Sequence, residues 1–258
     1  MVFIVNVVAI IQARLGSNRF PGKVLEQIAE RPMLEMLISR VKLSQKIDKI
    51  VVATTSESTD DRLCRWLNQE NIDYFRGSEE DVLDRFWQCA KSYNADIVVR
   101  LTADDPLKDP KIIDEAVDLF LNNPDVDYVS NTIRPSYPEG LDVEVFSLFS
   151  LALANEKAKL KSEREHVTPY IWKTTENFKL LNFEMSRDLS AWRWTVDKPV
   201  DLEFIKTLLK MARNNIFASY LDLIAIIDKN PALMDINIGI LRNEGYLKSI
   251  NKEMKDEQ

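Results

Sequence analysis

The segment QARLGSNRFPGK, residues 12–23, gathers the residue types that bind phosphate. Three cations fall within ten positions, directly after an apolar run that ends at Ile11. Two glycines let backbone amides approach an anion closely, and a serine hydroxyl adds a further donor. We therefore predict a phosphate-binding loop, with a solvated basic loop at a sheet edge as the alternative. The residues concerned are Arg14, Arg19 and Lys23 together with Gly16, Ser17 and Gly22.

The spacing of this loop excludes a P-loop ATPase. A P-loop has four residues between its glycines, and a Ser or Thr after the lysine supplies a hydroxyl to Mg²⁺. In this chain five residues separate Gly16 from Gly22, and Val24 follows Lys23. A metal ion at this loop would therefore need ligands from elsewhere in the chain.

Two adjacent carboxylates, Asp104 and Asp105, follow the apolar run Ile97–Thr102, where a buried strand is expected to end. A bound polyphosphate calls for Mg²⁺ to offset its charge, and this ion takes one or two carboxylates. Arg100 lies on the same strand face as Asp104, so it could reach a phosphate or pair with a carboxylate. An Asp-Pro turn with a capping Asp is the alternative interpretation of the pair.

Composition narrows the function classes. The chain has 258 residues and a net charge of −7, which argues against a nucleic-acid partner because phosphate backbones require a basic face. Two cysteines, Cys64 and Cys89, and the single His166 are too few for a Cys/His zinc site. Unpaired cysteines fit a reducing compartment, so we expect a cytoplasmic protein. No apolar run approaches the ~18 residues of a membrane span.

Apolar β-branched runs alternate with helical periodicity through the first half of the chain. This alternation predicts an α/β fold with a doubly wound, mostly parallel, Rossmann-like sheet. Ligands bind at the carboxyl ends of such strands, which directs attention to the loops after the first strand and after residue 102. Strands over Leu141–Phe146, Phe178–Met185 and Arg193–Val196 are predicted to form a small β extension, and the end of the chain is predicted to be helical.

The run AIIQARLGSNRFPGKVLEQIAERPML, residues 9–34, resembles the opening of the cytidylyltransferases that make CMP-activated acidic sugars such as CMP-Kdo and CMP-sialic acid. It is most similar to the subgroup named after a spore-coat polysaccharide biosynthesis protein. The resemblance implies a sheet of the nucleotide-diphospho-sugar transferase type, a homodimer, and a loop that binds the base and triphosphate. The nucleotide-binding positions it matches are Ala13, Arg14, Ser17, Arg19 and Lys23, of which Arg14 and Lys23 are expected to be catalytic.

The run TADDPL, residues 102–107, resembles the family's strand followed by Gly-Asp-x-Pro-Leu. Asp104 then matches a catalytic magnesium ligand. Ala103 stands where glycine is usual and leaves less room for the backbone to approach the nucleotide. Asp105 stands where relatives often have cysteine, so it adds a carboxylate or caps the next turn.

A second acidic run, VDKPVD, resembles the family's later Val-Asp-x-Pro-x-Asp motif. By this resemblance Asp197 is the second magnesium ligand, and Asp201 caps the next helix or supports Asp197. A plain helix start is the alternative, because Asp-x-Pro is a common helix N-terminus signal.

The segment YPEGLDVEVF, residues 137–146, is typical of the subgroup, where it lies at the side of the site that binds the sugar acceptor. An edge strand with a solvated acidic face is the alternative. A lone histidine in SEREHVTPYIW is predicted to open a helix, where it contacts the acceptor or only caps and packs. The segment GSEEDVLDRF occupies the place of a loop near the base and sugar in relatives, with an ordinary helix surface as the alternative. The acceptor candidates are Glu139, Asp142, Glu144 and His166, and the further nucleotide candidates are Arg76 and Arg100 with Asp84 and Arg85.

The expected activity is magnesium-dependent transfer of a nucleotidyl group from CTP, or another nucleoside triphosphate, to a sugar acceptor with release of pyrophosphate. The alternatives are a transferase that uses GTP on a sugar 1-phosphate, a glycosyltransferase with a similar sheet, and a nucleotide-binding scaffold without activity. We expect a nucleotidyltransferase domain over residues 1–215, with an extension for the acceptor or for dimerisation at about 132–192. A helical appendage over 216–258 follows, and its last eight residues are predicted to be solvated.

Overall fold

The computed structural model describes residues 5–17 and 19–256, so residues 1–4, 257 and 258 of the two expected domains lie outside it. The strands are β1 Val7–Gln12, β2 Gln27–Ile28, β3 Arg31–Pro32, β4 Lys49–Thr55, β5 Tyr74–Gly77, β6 Ile97–Thr102, β7 Tyr128–Ser130, β8 Glu144–Ser147 and β9 Leu180–Asn182. The helices are α1 Met33–Val41, α2 Asp61–Gln69, α3 Val82–Ser92, α4 Pro110–Asn122, α5 Leu148–Lys157, α6 Lys161–His166, α7 Pro169–Lys173, α8 Pro199–Met211, α9 Tyr220–Lys229 and α10 Glu244–Asp256.

The main sheet has the strand order β5-β4-β1-β6-β8-β7-β9 within the described residues. Strands β5, β4, β1 and β6 are parallel, and β8 is antiparallel to both of its neighbours. Central β1 is buried on both faces because its side chains are almost all apolar, as parallel strands between two helical layers require. Separate apolar clusters fill the two faces. The predicted doubly wound, mostly parallel α/β fold is confirmed.

The carboxyl edge of the sheet brings two distant loops together. Strands β1 and β6 are neighbours in register, with Gln12 opposite Thr102. The ladder continues one step further, because the amide of Ala103 donates to the Gln12 carbonyl at 3.0 Å. The loop after β1 and the loop after β6 therefore start side by side. Their side chains can meet although about 90 residues separate them in sequence.

The predicted strand Leu141–Phe146 is wrong at its first half, since β8 begins only at Glu144. The side chain of Asn131 occupies the backbone groups that a ladder would use. Its amide nitrogen donates to the Leu141 carbonyl and its oxygen accepts from the Val143 amide, both at 2.9 Å. Local side-chain hydrogen bonds of this kind compete with a sheet ladder.

The two other predicted strands of the second half also differ from the structure. Phe178–Met185 shortens to β9. Arg193–Val196 forms no ladder in the described residues; only an isolated bridge joins Arg193 to Glu139. The segment is extended, but its backbone bonds divide between two partners, because Trp194 donates to the Glu139 carbonyl and Val196 donates to the Asp104 carbonyl. It serves to bring residues 193–197 beside the end of β6.

A fully buried arginine connects the sheet's flanking helices to the later part of the chain. Arg40, on α1, donates to the carbonyls of Leu107, Lys108, Ile216 and Ala218. Burial lowers its pKa to about 10, and Asp109 opposes that shift. The guanidinium satisfies carbonyls that would otherwise lie buried without partners.

Among residues 5–17 and 19–256, no helix has the length and apolar character needed to cross a bilayer.

Candidate active site

A cavity of about 1020 Å³ opens at the carboxyl ends of β1 and β6. Its wall carries twice as many basic as acidic side chains, although the whole chain is acidic. The structure thus concentrates positive charge where the sheet presents its loops. Of the residues predicted from sequence, the wall includes Ala13, Arg14, Ser17, Arg19, Lys23, Arg100, Asp104 and His166.

The phosphate loop is held by its own backbone and by one buried carboxylate. Gly22 adopts a left-handed conformation, with φ 73°, and its amide donates to the Leu15 carbonyl at 2.9 Å. Asp60 accepts from the Leu15 amide at 2.7 Å and is almost fully buried. The Ser17 hydroxyl accepts from the Phe20 amide at 3.3 Å. Sequence reasoning missed Asp60, because its position just before α2 is typical of a helix start.

Two carboxylates from distant segments meet at one lysine. The Lys23 ammonium lies 2.8 Å from Asp104 Oδ2 and 2.8 Å from Asp197 Oδ1. Arg19 also donates to Asp197 Oδ1, at 2.7 Å. Burial disfavours the charged form of Lys23, but the two carboxylates outweigh burial and raise its pKa. Burial likewise opposes ionisation of Asp104, yet Lys23 and hydrogen bonds lower its pKa to about 2. Asp104 is therefore anionic at neutral pH.

The far side of Asp197 is fixed by a buried arginine that sequence reasoning missed. Arg193 donates to Asp197 Oδ2 at 3.1 Å, to Asp201 Oδ1 at 3.0 Å and to Glu139 Oε2 at 2.6 Å. Burial disfavours the charged guanidinium, but these acids outweigh burial and raise its pKa. Asp201 also accepts from the amides of Asp197 and Lys198, so it both starts α8 and supports Asp197, as predicted.

Glu139 and Asp142 lie behind the cavity wall. Glu139 accepts from Arg193 and, at 2.8 Å, from the Asn243 amide. Asp142 is paired with Arg242. Neither side chain is part of the cavity wall, so the structure does not bring these two acceptor candidates to the site.

Glu144 is a buried partner of Arg100. Its carboxylate accepts from Arg100, from the Tyr128 hydroxyl at 2.6 Å and from Thr168. Burial raises the pKa of a carboxyl, but Arg100 and these hydroxyls outweigh it and lower the pKa of Glu144. The Glu144 carboxylate therefore forms hydrogen bonds within the protein and holds Arg100 in place. Arg100 itself lines the cavity.

The remaining nucleotide candidates separate into two groups. Arg76 donates to the carbonyls of Thr55 and Glu57 and pairs with Asp61, away from the cavity wall. Arg85 lines the cavity and is only 1% exposed, so it is not part of a helix surface. Its Nη1 donates to a carbonyl, while its Nε has no hydrogen-bond partner within the described chain.

Burial lowers the pKa of Arg85 to about 10, and neighbouring Arg14 adds to that shift. Arg14 pairs with Glu79 at 2.9 Å at the same rim. Gly16 faces this rim too, since a β-carbon there would lie 3.5 Å from Glu79 Oε1. Arg85 and the phosphate loop, through Arg14, therefore both line the cavity.

His166 was predicted to open a helix, but it is the last residue of α6. Its Nε2 lies 3.0 Å from the Ser249 hydroxyl, and its ring packs on Tyr246. Burial lowers the pKa of His166 to about 4, so the imidazole is neutral at pH 7. The sequence predicts a solvated end only for the last eight residues, which follow Tyr246 and Ser249. The contacts of these two residues show that α10 packs against the cavity. Sequence patterns could not reveal this, since α10 reads as an ordinary polar helix.

A family model described as cytidylyltransferase matches residues 8–223. The chain belongs to the cytidylyltransferase family. It is therefore a nucleotidyltransferase, as the sequence predicts. The matched range contains the phosphate loop, Asp104, the Arg193–Asp201 segment and α6, and it ends before α10.

Two relatives of this cytidylyltransferase span nearly its whole length, and a third matches about half of it. An uncharacterized protein of Methanocaldococcus jannaschii is 39% identical over 93% of this chain and 98% of its own. The spore coat polysaccharide biosynthesis protein SpsF of Bacillus subtilis is 33% identical over 88% of this chain and 95% of its own. A 3-deoxy-manno-octulosonate cytidylyltransferase of Trichlorobacter lovleyi is 36% identical over 46% of each chain. These similarities confirm the predicted family and subgroup.

A solved cytidylyltransferase from Leptospira borgpetersenii serovar Hardjo-bovis superimposes with a TM-score of 0.87. It is 37% identical in sequence, and the match covers 92% of this chain and 100% of that one. The agreement extends the family assignment from sequence to the arrangement of the sheet and its loops.

Proposed function

We propose that this cytidylyltransferase transfers CMP from CTP to an acidic sugar and releases pyrophosphate. The observation that carries the proposal is the convergence of Asp104 and Asp197 on Lys23, at the edge of a cavity lined with cations. A family model described as cytidylyltransferase matches residues 8–223, and a 3-deoxy-manno-octulosonate cytidylyltransferase is among the relatives. The sugar class rests on that relative and on the motif resemblance.

The residues have distinct tasks in this proposal. Arg14, Arg19 and Lys23 bind the triphosphate, because each places a cation on the loop that follows β1. An acceptor hydroxyl attacks the α-phosphorus, the bond to the β-phosphate oxygen breaks, and pyrophosphate leaves with the electron pair. The hydroxyl proton passes to solvent. No covalent enzyme intermediate is required.

The donor set fits magnesium. Mg²⁺ binds through one or two carboxylates and fills its remaining positions with water and phosphate oxygens. Asp104 and Asp197 supply two such carboxylates, which meet at the Lys23 ammonium. No group of three or more His, Cys, Asp or Glu suited to a metal occurs in the described chain, so the nucleotide itself would complete the coordination. When bound, the ion would offset the negative charge that builds on the phosphates.

A thermal-shift screen tests the nucleotide. CTP, UTP, GTP and ATP are each added with Mg²⁺, and we expect CTP to raise the melting temperature most, since a ligand stabilises the state that binds it. An equal response to all four would contradict selection of cytosine, and a response to GTP alone would favour a guanylyltransferase.

A pyrophosphate-release assay tests the reaction. The enzyme is mixed with CTP, Mg²⁺ and either 3-deoxy-manno-octulosonate or N-acetylneuraminate, each known chemically as an acidic sugar. We expect pyrophosphate only when an acidic sugar is present. Release of a nucleoside diphosphate from a sugar nucleotide instead would identify a glycosyltransferase.

A further inference from the structure

Helix α10 crosses the cavity from one wall to the other. At its first residue, Glu244 pairs with Arg19 of the phosphate loop at 3.5 Å and with Lys198 at 3.4 Å. Nine residues later, Glu253 accepts from the Ser162 hydroxyl at 2.7 Å, on the first turn of α6. At 1.5 Å per residue these two anchors are about 13 Å apart. The helix thus bridges the phosphate loop and α6.

One face of α10 is directed to the cavity. Gly245, Lys248, Ser249 and Lys252 all line it. Their spacing of three, one and three residues places them on a single helical face. Tyr246 secures the helix from the side, because its ring lies 5.1 Å from the ring of His166 and 5.7 Å from that of Trp172.

The inward face of α10 adds cations to a second end of the cavity. Lys248 pairs with Glu244 on the preceding turn at 2.9 Å. Lys252 has no ion-pair partner in the described part of the chain, and neither does Lys159, which precedes α6 and lines the same cavity. The phosphate loop already supplies the cations for a triphosphate. Lys159 and Lys252 therefore have charge available for another anion, and Lys248 adds a further cation one turn before Lys252.

We propose that Lys159, Lys248 and Lys252 form a subsite for an anionic group of the acceptor, either a carboxylate or a phosphate. This subsite rests on the proposed function, since it assigns the second substrate of the same cavity. Helix α10 lies beyond residue 223, where the match to the family model ends. Lys248 and Lys252 therefore lie outside the range that the family model matches, whereas Lys159 lies inside it.

The test uses the full chain and inorganic phosphate as probe. Wild-type protein, the double variant Lys248→Gln with Lys252→Gln, and the control Lys255→Gln are saturated with CTP and Mg²⁺, then titrated with phosphate in a calorimeter. Lys255 lies on the same helix but not on the cavity wall. We expect phosphate to bind about tenfold more weakly to the double variant, because two charges act on one anion. The control should match the wild type.

Equal phosphate affinity in the double variant and the wild type would overturn the proposal. A change in CTP affinity of similar size would also overturn it, because the lysines would then serve the nucleotide. The titration is repeated without nucleotide, where the double variant should lose one of two phosphate sites. The titration without nucleotide reports on the subsite whether or not CTP binds. If CTP fails to stabilise the protein, that result contradicts the proposed function and leaves the test of the subsite intact.

A parallel titration with acetate separates the two kinds of anion. Stronger binding of acetate than of phosphate indicates an acceptor carboxylate, and the reverse indicates a sugar phosphate. With whichever acidic sugar supports turnover, the double variant should raise KM for the acceptor about tenfold and leave kcat within about twofold. An unchanged KM would contradict an acceptor subsite.

Discussion

The two walls of the cavity are built in different ways. The sheet wall consists of the phosphate loop and Asp104. It is fixed by strand ends and by ion pairs of Arg19 and Lys23 with Asp197, which is not itself part of the wall. The helical wall consists of the start of α3, α6 and α10, and it joins elements that are far apart in sequence. Charges on the sheet wall are mostly paired, whereas Lys252 on the helical wall and the adjoining Lys159 have no ion-pair partner among the described residues. We therefore expect the sheet wall to carry the chemistry of the family and the helical wall to select the acceptor.

The largest expected effect is that of replacing Asp104, and its neighbour Asp105 is expected to respond differently. Asp104→Asn should lower kcat by at least about 10³-fold, because one of the two proposed magnesium ligands is lost. Its melting temperature should stay near that of the wild type. The measurement is steady-state pyrophosphate release beside thermal unfolding.

Asp105→Asn is the matched control for that variant. Asp105 is buried and pairs with the fully buried Lys108 at 2.9 Å. Removing its charge leaves a buried ammonium without a counter-charge, so we expect a loss of about 3 kcal/mol in unfolding free energy. If Asp104→Asn kept most of its activity, or destabilised the protein as much as Asp105→Asn, the metal assignment would fail.

Arg193 tests whether the sheet wall depends on its buried support. Arg193→Met should cost about 3 kcal/mol of stability, because three buried carboxylates lose their common partner. Arg193→Lys restores the charge but not the planar fork of donors. We therefore expect Arg193→Lys to recover part of the stability that Arg193→Met loses. Both variants should need a higher Mg²⁺ concentration than the wild type for half-maximal activity. Full recovery of the Mg²⁺ dependence in Arg193→Lys would show that only charge matters.

The helical wall should respond to pH through His166. Its pKa of about 4 in the folded protein lies below the value of 6.5 for the unfolded chain. The unfolded state thus takes up the proton first, and this contribution to stability is lost as pH falls from about 6.5 to about 4. At pH 5 the loss should be about 2 kcal/mol.

Urea unfolding at pH 7.5 and pH 5.0 measures that loss, with His166→Gln as the reference. The variant cannot be protonated at this position, so its stability should fall less between the two pH values. Equal decreases for the two proteins would exclude His166 as the group responsible.

The smallest expected effect concerns Arg85. A buried guanidinium without a carboxylate partner destabilises the folded state, so Arg85→Met should raise the melting temperature by a few degrees. The same change should weaken CTP binding about tenfold, because a cation that lines the cavity is lost. Arg85→Lys keeps the cation, so its melting temperature and its CTP affinity should lie between those of the wild type and Arg85→Met. Unchanged CTP affinity in Arg85→Met would leave Arg85 with a packing role only.

The sheet wall was largely predictable from sequence. Buried strands have short apolar runs, and the rule that ligands bind at strand carboxyl ends placed residues 12–23 beside Asp104. Asp197 was found through its motif. Arg193 was not, because an arginine within an apparent strand gives no sign that it will contact three carboxylates at once.

The helical wall was predicted poorly for a physical reason. Lys248 and Lys252 occur in a polar stretch whose pattern fits a solvated helix, and nothing local shows which neighbour it packs against. Only the tertiary contacts of Glu244, Tyr246 and Glu253 define its position. His166 lines the cavity, and its place at the end of α6 follows from Val167, whose φ of 72° stops the helix.

The buried bonds of Arg40 also affect the rate at which the protein unfolds. Two of its carbonyl partners, Ile216 and Ala218, lie 176 and 178 residues away along the chain. Contacts across such separations form late in folding, because the chain between them must lose its conformational entropy first. Interactions absent from the folding transition state mainly slow unfolding. We therefore expect Arg40 to slow unfolding, which lengthens the lifetime of the native state, more than it speeds folding.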